Sequence, residues 1–257
     1  MFFFRIFYRW ITKRALKQVV QGRMISPGDP EAGRLLPLQV DEIFKATFAG
    51  VDSIMKEEPL ADIPTLGNRH NVFLAVLTIS IYHALLEVGL SRQRARVLLA
   101  DAGWKLYVTF LIIPKTVARV LRRDPQRRMN IMLNMFLRFP FSAPGRPGYE
   151  VTTKEQADRF LTTWTYCPPY FFVKQYVEQH GDRGEMKAFQ QSWCWFDWAL
   201  SYTMMDGEDP PGFYQRPKTL SFGDDYCNMC WAARAPLPQP ITAPDMIPKD
   251  RQADVLG

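Results

Sequence analysis

Thr219-Leu220-Ser221-Phe222-Gly223-Asp224-Asp225-Tyr226-Cys227-Asn228-Met229-Cys230-Trp231 is the stretch whose reading decides the fold. Two β-prone runs flank a Gly-Asp-Asp cluster, which predicts a strand, a tight turn and a second strand. The turn sets a thiol, Cys227, close to the carboxylates Asp224 and Asp225. Cys227-x-x-Cys230 is a poor zinc or redox pair, because positions i and i+3 of a strand point to opposite faces.

Working outward, residues 149–153 and 159–167 are rich in β-branched and aromatic side chains and read as two further strands. Pro168-Pro169 opens a helix to His180, and a second helix runs from 185 to about 205. Strands follow over 213–222 and 226–234. The second half is therefore ββααββ, with a four-stranded antiparallel sheet. Residues before it carry helical patterning over 41–57, 71–88, 92–111, 115–123 and 124–139. The fold class is α+β, with an N-terminal helical portion. The expected organisation is a basic and aromatic helix (1–23), a linker (24–40), a helical subdomain (41–145), the ββααββ unit (146–235) and a Pro-rich extended tail (236–257).

The net charge of +6 comes entirely from residues 1–23, where Arg5, Arg9, Lys13, Arg14, Lys17 and Arg23 meet no acid; the rest of the chain is neutral. A nucleic-acid-binding protein would spread its bases over a folded face, so no nucleic-acid partner is expected. The first 21 residues read as an amphipathic helix, its cations Arg5, Arg9, Lys13 and Lys17 forming a stripe and Phe3, Phe7, Trp10 and Ile11 lying elsewhere on the wheel. Such a helix suits the membrane interface, a membrane-protein partner, or packing on the chain's own core. It is too short and too charged to span a bilayer. The apolar run 71–88 approaches spanning length, but His83, Glu87 and the Gly89 stop favour a buried helix. Four Cys in 257 residues are too sparse for a disulfide scaffold. Reduced thiols and a cytoplasmic protein peripheral to the membrane are expected.

Three thiols stand in distinctive settings. Cys167 ends a strand just before a helix begins, where backbone N–H groups lower a thiol pKa. Cys194 and Asp197 are three apart on a helix and share a side. Cys227 follows the acidic turn. Brought together, Cys167, Cys194, Cys227, Asp197 and Asp224 would form a nucleophile with its base, or a metal site. The metal question stays open on the sequence, and no other cofactor is implied. His83 and Glu87, four apart on one helix, are either a core pair or part of a polar pocket with Trp164.

The strand ending in Cys167-Pro168, the helix with Cys194-x-x-Asp197, and the closing Thr219-Leu220-x-x-Gly223-Asp224-x-x-Cys227 resemble the L-2-amino-thiazoline-4-carboxylic acid hydrolase-like family. The likeness covers roughly residues 70–234 and departs at Asn228-Met229, where an Asp-Phe pair is usual. It implies an enzyme that opens a small cyclic amidine by adding water. Cys167, Cys194 or Cys227 would be nucleophile or ligand, Asp197 would be base, and Asp224 would polarise the substrate. The closing motif is also similar to 4-vinyl reductase-type domains, which bind small hydrophobic ligands, some with a zinc-ligand set whose upstream acid and Cys this chain lacks. The alternative expectation is a non-catalytic accessory subunit, docking on a membrane protein complex through its N-terminal helix and extended tail.

Overall fold

The computed structural model describes residues 2–20, 37–57, 60–121, 124–205 and 212–234. The fold is α+β. Six helices come first: α1 (Phe2–Val20), α2 (Pro37–Glu57), α3 (Leu66–Glu87), α4 (Arg92–Val108), α5 (Ile112–Leu121) and α6 (Pro125–Arg138). There follow β1 (Glu150–Glu155), β2 (Phe160–Tyr166), α7 (Pro168–His180), α8 (Glu185–Phe189), α9 (Trp195–Met204), β3 (Phe213–Lys218) and β4 (Cys227–Ala232). The strands form one antiparallel sheet in the order β1-β2-β4-β3. Most of the linker expected at 24–40, residues 206–211 and the Pro-rich tail fall outside the described residues.

Helix starts follow local chemistry. Thr65, Ser91 and Asp124 cap α3, α4 and α6, their side-chain oxygens accepting from Asn68, Arg94 and Arg127 backbone N–H groups. Pro114 lies in the first turn of α5, where a missing N–H costs little, so the helix starts around it.

Two expectations needed correction at this level. The segment before the Gly-Asp-Asp turn is not strand throughout. β3 ends at Lys218, and Leu220–Phe222 wind into a 3₁₀ turn closed by Gly223 at φ 92°, a conformation glycine adopts without strain. The helix expected over 185–205 carries a π turn at Gln190–Cys194 between α8 and α9.

Helix α3 is the centre of the helical half, packed by α2, α4, α7 and α8. Both α3 and the stretch Arg92–Leu121 are long and apolar enough to cross a membrane; 72% of the most apolar window of α3 is buried within the protein, against 39% for the second stretch. Two buried clusters run through the fold, and both join residues of the expected helical subdomain to residues of the ββααββ unit. One joins α1–α4 to Val173 of α7 and to Ala188 and Phe189 of α8. The other joins α5 and α6 to α9 and the sheet.

Helix α1 packs on α2 and α4 of its own chain. Tyr8, Ile11, Ala15, Leu16 and Val19 form its buried stripe, while Phe7 (43% exposed) and Trp10 (62%) face outward. The cationic stripe is engaged locally: Arg9 lies 4.9 Å over the Phe48 ring, and Lys13 pairs with Asp41 at 2.8 Å. Nothing is described of the Phe3 and Arg5 side chains.

Candidate functional site

The sheet builds one wall of a cavity by simple alternation. On β4, Cys227, Met229 and Trp231 share a face, and on β2, Thr162 and Trp164 do. Antiparallel register sets Trp164 opposite Cys227 and Thr162 opposite Met229. All five line a cavity of about 160 Å³. Cys230 falls on the opposite face of β4 and does not line it. The facing walls are mostly apolar, from Leu77 of α3, Leu106 of α4, and Leu133 and Phe136 of α6.

Cys167, Cys194, Cys227 and Asp197 all line this one cavity. Cys167 sits between β2 and α7. The π turn ends at Cys194 and leads into the first turn of α9, which carries Asp197. π turns recur at functional sites because they offset the side chains on either side. The Cys194 Sγ lies 3.2 Å from Ser221 Oγ, and the Leu220 N–H donates to Cys227 Sγ at 3.2 Å.

Arg216 was absent from the sequence reading, and it organises the polar part of the cavity. It lies on β3 where the register to β4 shifts, so the strand is irregular there. Its side chain is 1% exposed, and its Nη1 donates to Asp197 Oδ2 at 2.7 Å. Nη2 donates to the Cys194 carbonyl, and the Tyr214 hydroxyl also reaches Asp197 Oδ2, at 3.4 Å. The guanidinium stacks 4.7 Å over Trp198.

Burial governs the protonation states. It pushes Cys167 well above the ordinary thiol range, raises Cys194, and takes Cys227 to about 12. The N-terminus of α7 was expected to lower the Cys167 pKa; the loss of hydration outweighs it, although the Tyr170 N–H still favours the thiolate. Burial also lifts Asp197 to about 6, against the pull of Arg216 and Tyr214. The phenols of Tyr107 and Tyr149, which line the same cavity, are raised by burial too. At neutral pH the cavity therefore presents uncharged S–H and O–H groups around one carboxylate–guanidinium pair.

Three expected residues lie elsewhere. Asp224 accepts the Thr219 N–H at 2.8 Å and is absent from the cavity lining; it stabilises the turn, because a carboxylate just past a 3₁₀ turn meets a backbone donor first. His83 pairs with Glu185 at 2.5 Å, Glu87 is exposed, and neither lines the cavity. Trp164 lines it, its indole N–H donating to Thr162 Oγ1 at 2.9 Å. Among the described residues, no three of His, Cys, Asp and Glu are grouped so as to hold a metal ion.

Comparisons with family models, with curated proteins and with solved structures returned no match.

Proposed function

We propose that the chain is a hydrolase-like protein that takes a small heterocycle of cyclic-amidine type, carried on an apolar body, into this cavity. The observation that supports the reading is the convergence of Cys167, Cys194, Cys227 and Asp197 on one mostly apolar cavity, with Arg216 beside them. An amidinium would meet Asp197, and an anionic substituent would meet Arg216.

In this reading Asp197, near 6, is the base, and the thiols act in their neutral form. Asp197 takes a proton from water as the water oxygen bonds to the amidine carbon. The bond from that carbon to a ring heteroatom then breaks, and a neutral thiol (Cys194 or Cys167) gives its proton to the departing atom. The proton held on Asp197 returns to the thiolate, and the site is restored. The test is ring opening of 2-amino-2-thiazoline and of 2-amino-thiazoline-4-carboxylate, followed by chromatography. Turnover abolished by Asp197→Asn and reduced at least tenfold by Cys194→Ser or Cys167→Ser supports the reading. Absence of turnover of both compounds by the unaltered protein overturns the catalytic assignment.

A second reading concerns the surface. Ile6, Phe7 and Trp10 on α1, and Ile112, Ile113 and Val120 on α5, are exposed, and neither helix contains an acid. Apolar side chains on cationic helices are the composition of a surface that docks on anionic membrane. This is the form in which the peripheral, accessory role is retained. Co-sedimentation with phosphatidylserine vesicles, lost in a Trp10→Glu/Ile113→Glu variant, would support it; equal recovery of both proteins in the supernatant would not.

A further inference from the structure

A chain of buried hydrogen bonds runs from α1 to the cavity. The Tyr8 hydroxyl lies 2.5 Å from His70 Nε2, His70 Nδ1 lies 3.2 Å from Asn71 Oδ1, and Asn71 Nδ2 donates to the Tyr149 hydroxyl at 2.9 Å. All four residues are at most 2% exposed. Tyr149 lines the cavity, and Tyr8 belongs to the helix that would otherwise be read as a mere address.

The bonds of this chain all run in one direction. Asn71 Nδ2 also faces the Pro140 carbonyl at 3.5 Å. A carbonyl only accepts, so the amide nitrogen belongs on that side and Oδ1 faces His70. His70 is buried, which lowers its pKa to about 4, so the ring is neutral and carries one hydrogen. Oδ1 accepts only, so that hydrogen is on Nδ1. Nε2 must then accept, and it accepts from Tyr8. At the far end, the Tyr149 oxygen receives the Asn71 N–H, which leaves its own hydrogen to point elsewhere. Tyr149 lines the same cavity as Cys167, Tyr107 and Asp197.

We infer that Tyr149 is a specificity-determining donor, presenting its O–H to a hydrogen-bond acceptor on the ligand, and that Tyr8, His70 and Asn71 are positioning residues that fix its direction. The ligand class narrows accordingly: an apolar molecule with a carbonyl oxygen or an unprotonated ring nitrogen on the side that meets Tyr149. This rests on the cavity being the ligand site. It makes no use of ring opening.

Two probes of one shape separate the claims. Acetophenone carries a carbonyl where 2-phenylpropene carries a methylene, and both are near the size that an apolar cavity of this volume accepts. Calorimetric titration of the full chain should show tighter binding of acetophenone. Tyr149→Phe should weaken acetophenone about fivefold, the scale of one neutral hydrogen bond, and leave 2-phenylpropene unchanged. Tyr8→Phe, in a residue that touches no ligand, should shrink the same preference, while a purely structural lesion would weaken both probes alike. Nitrogen-15 NMR of the unliganded protein should find the His70 hydrogen on Nδ1 in the wild type, and a mixture of tautomers in Tyr8→Phe.

Equal loss of both probes in Tyr149→Phe, or an unchanged preference, overturns the donor assignment while leaving the cavity as a binding site. An Nε2–H tautomer in the wild type overturns the directed chain. If neither probe binds the wild type, the cavity reading fails and the inference falls with it.

Discussion

Asp197 and Arg216 depend on each other. A guanidinium 1% exposed keeps its charge and has lost its hydration, so it needs a partner, and the carboxylate at 2.7 Å supplies one. Asp197→Asn should therefore destabilise the protein by about 3–5 kcal/mol in urea denaturation, and pairing it with Arg216→Met should recover much of that loss. If ring opening uses Asp197 as base, kcat/KM rises with pH through about 6, since the base form is the ionised one. A pH-independent rate over that range would rule the role out. Arg216 had a legible signal: two residues after Tyr214 on a strand, it shares that residue's inward face, and a buried Arg demands an acid. Asp197 is that acid. Cys167 misled because a helix N-terminus and burial act in opposite directions on a thiol, and sequence shows the first and hides the second.

Among the elements, the ββααββ order, the sheet and the helices between its two strand pairs are readable from turn residues and periodicity. The π turn at Gln190–Cys194 is not, because a five-residue change of helical pitch leaves no compositional trace. His83 was matched to Glu87 by helical spacing, yet its partner is Glu185 on α8, since a tertiary contact excludes water better than a neighbour on the same exposed face. Burial opposes the Glu185 charge, but hydrogen bonds from His83 and the Arg183 N–H hold its pKa below the usual carboxylate value of 4.5. The stability this supplies is complete above pH 4.5 and is lost as pH falls below it. Glu185→Gln should flatten that acid limb in a plot of Tm against pH. Close approach gives a second prediction. A Cβ at Gly67 of α3 would lie 2.6 Å from the Pro140 carbonyl oxygen, a backbone atom that cannot swing away. Gly67→Ala should cost about 1–3 kcal/mol in thermal denaturation.

For the whole molecule, the aromatic head reads differently in three dimensions. Composition left three roles open for residues 1–21, a membrane surface, a partner or the chain's own core, and five apolar side chains of α1 are buried within the chain, which packs that helix on α2 and α4. At about 1.5–3 kcal/mol for each of the larger ones and less for Ala15, their loss is on the order of 10 kcal/mol, comparable with the full stability of a domain. Deleting residues 2–20 should therefore remove the folded protein, seen as loss of the cooperative circular-dichroism transition; a truncated chain that still unfolds cooperatively would return α1 to an external role. The central claim is that three sulfurs and Asp197 share one mostly apolar cavity. Xenon enters such spaces and marks them in anomalous scattering. A pressurised crystal should show a xenon peak enclosed by Cys167, Cys194, Cys227 and Trp164; sulfurs separated by packed side chains, with no peak between them, would contradict the account.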